Sequence, residues 1–148
     1  MTKKPSATRI ALFATRFNLL MALACIPGLP FLLDYYASLW PLPYYSYNAI
    51  MIAFYCCAGF VLAALWSLDK VLRNILAEEI FVPSNVRCIR RVQICCGIIS
   101  LICTPAAVLY APLWFIVVIM AFLFIVVWVV TQAMDAAVTI REENDLTI

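Results

Sequence analysis

From Leu113 to Met134 the chain reads LWFIVVIMAFLFIVVWVVTQAM, with no Asp, Glu, Lys, Arg or His. Such a run decides the solvent before it decides the fold, because roughly 20 apolar residues at the helical rise cross a hydrocarbon core of about 30 Å. Three more charge-free windows occur, Phe17 to Leu33, Ala49 to Leu68 and Val92 to Tyr110. In lipid each segment must satisfy its own backbone, so even the last run, rich in Val and Ile, is expected to be helical. The composition agrees: 67% of the 148 residues are apolar and 12% charged, far from soluble usage. The expected architecture is all-α, a single four-helix transmembrane domain over residues 1–148. Its spans lie near 14–33, 49–68, 92–110 and 113–134, with a linker at 69–91 and a tail at 135–148.

The start of the chain admits a second reading. Lys3, Lys4, Arg9 and Arg16 precede a short apolar run, Phe17 to Ala24, and Cys25 then stands like a lipoprotein cysteine after a secretory signal. Ala22 occupies the position where a larger aliphatic residue is usual, and the apolar run continues through Pro27 and Pro30 to Leu33. A retained first helix is therefore expected.

Basic residues in short loops resist translocation and mark the cytoplasmic side. In a four-span arrangement all ten fall together: Lys3, Lys4, Arg9 and Arg16 before the first span; Lys70, Arg73, Arg87, Arg90 and Arg91 between the second and third; Arg141 after the fourth. The opposite connections, Asp34 to Asn48 and Ala111-Pro112, have none. Both termini and the linker are expected in the cytoplasm. Asp34 is then the only charge outside, in a loop with Tyr35, Tyr36, Trp40, Tyr44, Tyr45 and Tyr47. Rings with polar tips favour the headgroup level, so this loop is expected as an interfacial belt rather than a ligand platform, with Pro41 and Pro43 keeping it from regular helix.

Catalytic and metal chemistry find little purchase. The chain has no His, and its seven cysteines (Cys25, Cys56, Cys57, Cys88, Cys95, Cys96 and Cys103) form no Cys-x-x-Cys pair. They are expected to act as small apolar residues. Coupled transport needs an ionisable group in the membrane, and the spans hold none of Asp, Glu, Lys, Arg or His. No enzyme activity, catalytic residue, metal or cofactor is expected. Small residues recur in the second span at Ala49, Ala53, Cys56, Cys57, Ala63 and Ala64, with Gly59 and Ala63 as a small-xxx-small pair. Such faces serve a homo-oligomer as readily as a monomeric bundle.

The linker is more particular. Leu68, Val71, Leu72, Ile75 and Leu76 share one helical face, against Asp69, Lys70, Arg73, Asn74 and Glu78. An amphipathic helix should continue from the second span, Pro83 should end it, and Ser84 or Asn85 should cap a new helix carrying Arg87, Arg90 and Arg91 into the third. Arginines at that level suit the phosphates of an anionic leaflet, so membrane lipid is an expected partner.

Leu72-Arg73-Asn74-Ile75, then Ile80-Phe81, Asn85, Arg90-Arg91 and the terminal Glu143-Asn144-Asp145-Leu146-Thr147-Ile148 together resemble the bacterial membrane-protein family DUF2975. The resemblance implies four spans, a central cytoplasmic linker, residence in the bacterial inner membrane and no established activity. It also implies an association with a small helix-turn-helix regulator, whose gene often lies beside that of the membrane protein. This chain departs from the pattern in its cysteines and in Glu78-Glu79, where glycine is commoner.

On this basis the expected role is non-enzymatic: docking or sequestering a cytoplasmic protein such as that regulator, without direct contact to nucleic acid. The expected docking residues are Phe81, Asn85, Arg87, Arg90 and Arg91 of the linker with Glu142, Glu143, Asn144, Asp145, Leu146 and Ile148 of the tail. Glu142, Glu143 and Asp145 would clasp the three arginines weakly, since exposed ion pairs contribute about 0 to 1 kcal/mol each. Leu146 and Ile148 would add an apolar anchor. The competing expectation is a transporter or channel component, or an immunity-type protein acting within the bilayer.

Overall fold

The computed structural model of the chain describes residues 6–80 and 82–145. It is all-α: α1 (Ser6–Leu39), α2 (Tyr44–Leu76), α3 (Pro83–Leu109) and α4 (Leu113–Asp145). Each of the four is long and apolar enough to cross a membrane. The helices also outrun the apolar windows, because the flanking polar residues favour helix once a span has nucleated it. The aromatic connection accordingly shrinks. Asp34, Tyr35 and Tyr36 belong to α1 and Tyr44, Tyr45 and Tyr47 to α2, leaving only Trp40 to Pro43 between them. Pro41 and Pro43 do block helix, but only across that short turn.

Among the described residues the helices pack as a row: α1 on α2, α2 on α3 and α3 on α4, with no closure of α4 back onto α1. The two inner helices hold the core, where Cys57 of α2 meets Ile99, Cys103 and Ala107 of α3, and Val117 of α4 completes the cluster. Small side chains dominate because lipid gives helices no hydrophobic drive to associate, so dispersion at close backbone approach must supply it. The Cys57 and Cys103 sulfurs lie 3.8 Å apart as free thiols. Five of the seven cysteines are buried, four of them on α3. Of the glycines, Gly97 is the crowded one, where a Cβ would stand 3.1 Å from the Phe124 ring. Gly59 has nothing within 4 Å of that position, so among the described residues no neighbouring helix packs closely on the small-xxx-small pair at Gly59.

Two prolines, Pro27 and Pro30, sit inside α1 without ending it. Pro30 lacks the N–H that would reach the Ile26 carbonyl one turn back. The Tyr55 hydroxyl of α2 donates to that carbonyl at 3.1 Å. The orphaned acceptor is thus satisfied from the neighbouring helix, as lipid requires.

Polar side chains mark the two ends of the row. At one, Arg16 of α1 meets Asp69 of α2, Asn74 of α2 meets Asn85 of α3, and Arg90 of α3 meets Asp135 of α4. At the other, the Tyr47 hydroxyl donates to Asp34 at 2.7 Å, and the Tyr36 and Tyr110 hydroxyls lie 3.1 Å apart. There the Ser46 hydroxyl also donates to the Leu109 carbonyl at 2.9 Å, capping the last turn of α3 from α2. Ser6 and Asp145 therefore stand at the same end as the linker.

Candidate functional site

The polar end is organised by the turn between α2 and α3. Ala77 closes α2, the N–H of Glu78 donates to Ile75, and the N–H of Glu79 reaches back to Asn74 at 3.0 Å. This pair of bonds is a Schellman motif, which needs a left-handed residue after the cap. That residue is Glu78, at φ 67°. Glycine would adopt this conformation without strain, whereas a side chain there costs about 1 kcal/mol.

The turn is then fastened by Asn85. Its amide nitrogen donates to the carbonyls of Glu79 and Ile80 at 2.8 and 2.9 Å, and its oxygen accepts from the Asn74 amide at 2.6 Å. The side chain is fully buried, at 0% exposure. Sequence reasoning placed Asn85 on the docking surface or at a helix cap. Instead Val82 is the N-cap, Pro83 supplies the first helical residues with their fixed φ, and Asn85 turns inward as a clamp. Asn74, outside the expected set, is its partner. Two asparagines flanking a helix-stopping proline were the available signal.

Arg87, Arg90 and Arg91 are exposed on α3, the first about half a turn and the others about one and a half turns beyond that clamp. Arg90 donates to Asp135 at 3.2 Å, with both side chains about half exposed. Asp69 takes two arginines, Arg16 at 3.1 Å and Arg73 at 2.9 Å, and its own side chain is only 13% exposed. Arg87 and Arg91 have no carboxylate within ion-pair distance among the described residues. With Arg90 they line a groove between α2 and α3.

The tail continues α4 as helix through Asp145. Arg90 meets Asp135, and Glu142 lies about 10 Å further along the axis at 1.5 Å per residue. The end of α4 therefore stands level with the α2–α3 turn, and the carboxylate facing Arg90 lies about two turns nearer the bilayer than the expected clasp. Asp69 and Asp135, which make the observed ion pairs, lay outside the expected set because the acidic partners were sought in the last residues of the tail. Glu143 and Asn144 are exposed. The backbones of Glu142 and Asp145 belong to α4, while their side chains, with the whole of Phe81, Leu146 and Ile148, lie outside the described residues.

The opposite end offers a different chemistry. The Tyr110 phenol titrates above its ordinary 10.0, first because of its hydrogen bond with Tyr36 and then through slight burial. Tyr35, Tyr44 and Tyr45 are exposed there beside Trp40. Within the spans, the cleft between α1 and α2 is lined by Ala22, Cys25, Phe54, Cys57, Ala58 and Val61. That between α2 and α3 at the tyrosine end is equally apolar, with Ala49, Ile52, Ile102 and Pro105.

A family model described as a protein of unknown function (DUF2975) matches residues 32–148. No curated protein and no solved structure matches the chain. The match takes in the last turns of α1 and all of α2, α3 and α4, including the Asn74–Asn85 clamp and the arginines of α3. Since it covers well over half of the 148 residues, the chain belongs to the DUF2975 family.

Proposed function

We propose that this is a non-enzymatic, multi-pass protein of the bacterial inner membrane, with both termini and the α2–α3 turn in the cytoplasm. There it docks a cytoplasmic protein, for which a small helix-turn-helix regulator is the best candidate. The supporting observation is the unequal length of the helices about the bilayer. Beyond the apolar windows, Ser6 to Arg16, Asp69 to Leu76, Pro83 to Arg91 and Asp135 to Asp145 all project at one end. At 1.5 Å per residue these projections measure about 12 to 16 Å. Spanning lipid does not require them. Among the described residues they bring every basic side chain to one end, and the clamped turn and the end of α4 stand there at one height.

Photo-crosslinking from Glu79 and Asn144 in native membranes tests the proposal. A helix-turn-helix protein crosslinked from both positions, and no longer captured from Glu79 after deletion of Arg141 to Ile148, is the expected result. Crosslinks to lipid alone, or capture unchanged by the deletion, would overturn the docking role.

A further inference from the structure

The groove between α2 and α3 at the basic end has the dimensions and polarity of one lipid leaflet. Its mouth is formed by Arg87, Arg90 and Arg91, and its walls descend through Ile94, Cys95 and Ile98 of α3 past Phe60 and Ala63 of α2. Positions 87, 91, 94 and 98 recur at helical spacing, so the guanidiniums and the apolar floor share one face of α3. From Arg91, at the edge of the apolar window, to Ile98 the helix descends roughly 10 Å of the ~15 Å hydrocarbon depth of one leaflet, and Arg87 stands roughly 6 Å further out, at headgroup level. The volume, about 410 Å³, falls in the range of small-molecule sites.

Charge makes the occupant specific. Asp135 partly neutralises Arg90, but Arg87 and Arg91 are like charges at i and i+4 with no carboxylate in ion-pair distance among the described residues. They call for an anion at the level where the apolar wall begins. A planar guanidinium pairs bidentately with phosphate, and two of them one turn apart offer a fork for one headgroup.

We propose that this groove binds an anionic phospholipid, its phosphate held by Arg87 and Arg91 and an acyl chain laid along Ile94, Ile98 and Phe60. Arg90, tied to Asp135, borders the headgroup and keeps α4 in place beside it. The site goes beyond the docking role and stands whether or not a protein docks, because it uses the groove wall and not the turn or the end of α4.

Native mass spectrometry of the full-length protein, titrated with phosphatidylglycerol and separately with phosphatidylcholine, tests it. The unaltered protein should hold one phosphatidylglycerol in preference to phosphatidylcholine. Each basic residue near an anionic headgroup strengthens binding on the order of fivefold, so Arg87→Gln with Arg91→Gln should weaken phosphatidylglycerol about 25-fold. Arg9→Gln with Lys70→Gln removes the same charge from the same end but outside the groove, and should leave that binding within about twofold. Ala63→Trp keeps every charge while filling the groove, and should abolish the bound lipid. Equal weakening by the two double variants would show diffuse attraction and overturn the proposal, as would full binding in Ala63→Trp. A rise in phosphatidylglycerol binding on deleting Arg141 to Ile148 would overturn it too, by making the acidic tail the resident of the groove.

Discussion

The Tyr55 hydroxyl supplies from α2 a hydrogen bond that Pro30 removes within α1. Pro30 removes a donor from α1, and the Tyr55 hydroxyl restores one to the Ile26 carbonyl. Tyr55→Phe should therefore lower stability in detergent by about 1 kcal/mol, the scale of an interhelical hydrogen bond in membranes. In a Pro30→Ala background, where α1 supplies its own N–H, the same change should cost less than half as much; equal costs in thermal unfolding would refute the coupling. Only the proline half of this pair was legible. Pro30 announces an unsatisfied carbonyl, but nothing local names a tyrosine 29 residues away as its donor. Glu78 is a different case: the sequence shows it only as a departure from a commoner glycine, and its φ of 67° in the turn gives the reason glycine is suited there. Glu78→Gly should stabilise the fold by about 0.5 to 1 kcal/mol, the relieved strain exceeding the entropy that glycine adds to the unfolded chain.

At the scale of elements, the clamp and the α3–α4 seam each rest on one residue. Asn85→Leu would leave the Asn74 amide and the carbonyls of Glu79 and Ile80 without their partner at the turn. A loss of about 2 to 4 kcal/mol is expected, together with faster amide exchange at residues 77–82. Gly97→Ala should loosen α4, because its Cβ meets Phe124 at 3.1 Å. Phe124→Leu should restore part of that loss, which sequential chemical unfolding of the single and double variants would show. The existence and order of the helices were legible because a charge-free run in lipid has one solution. Their lengths were less so. Asp34 to Asn48 and Asp135 to Asp145 carry polar and aromatic residues that suit loop and helix alike, and packing against adjacent turns decides between them.

For the whole molecule, the two ends differ in kind. One is closed by short turns and phenol hydrogen bonds, and the other carries the projections, the ion pairs and the lipid groove. An orientation reporter fused after Ile148 and another inserted at Pro41 should read opposite sides, with the first cytoplasmic; exchanged readings would reverse the topology, and matching readings would refute the four spans. The charge asymmetry behind this was plain in the order of residues, whereas the open row of helices was not. Small-residue faces on α2 were compatible with a closed bundle, and the lack of packing between α1 and α4 among the described residues is what distinguishes the row.

The row also bears on how such a protein is made. During synthesis each helix entering the bilayer finds its packing surface on the helix inserted just before it. α2 can settle on α1 and α3 on α2, while α4 completes the seam at Gly97 without waiting for a distant segment to return. Assembly is thereby reduced to a sequence of local steps that can keep pace with the ribosome.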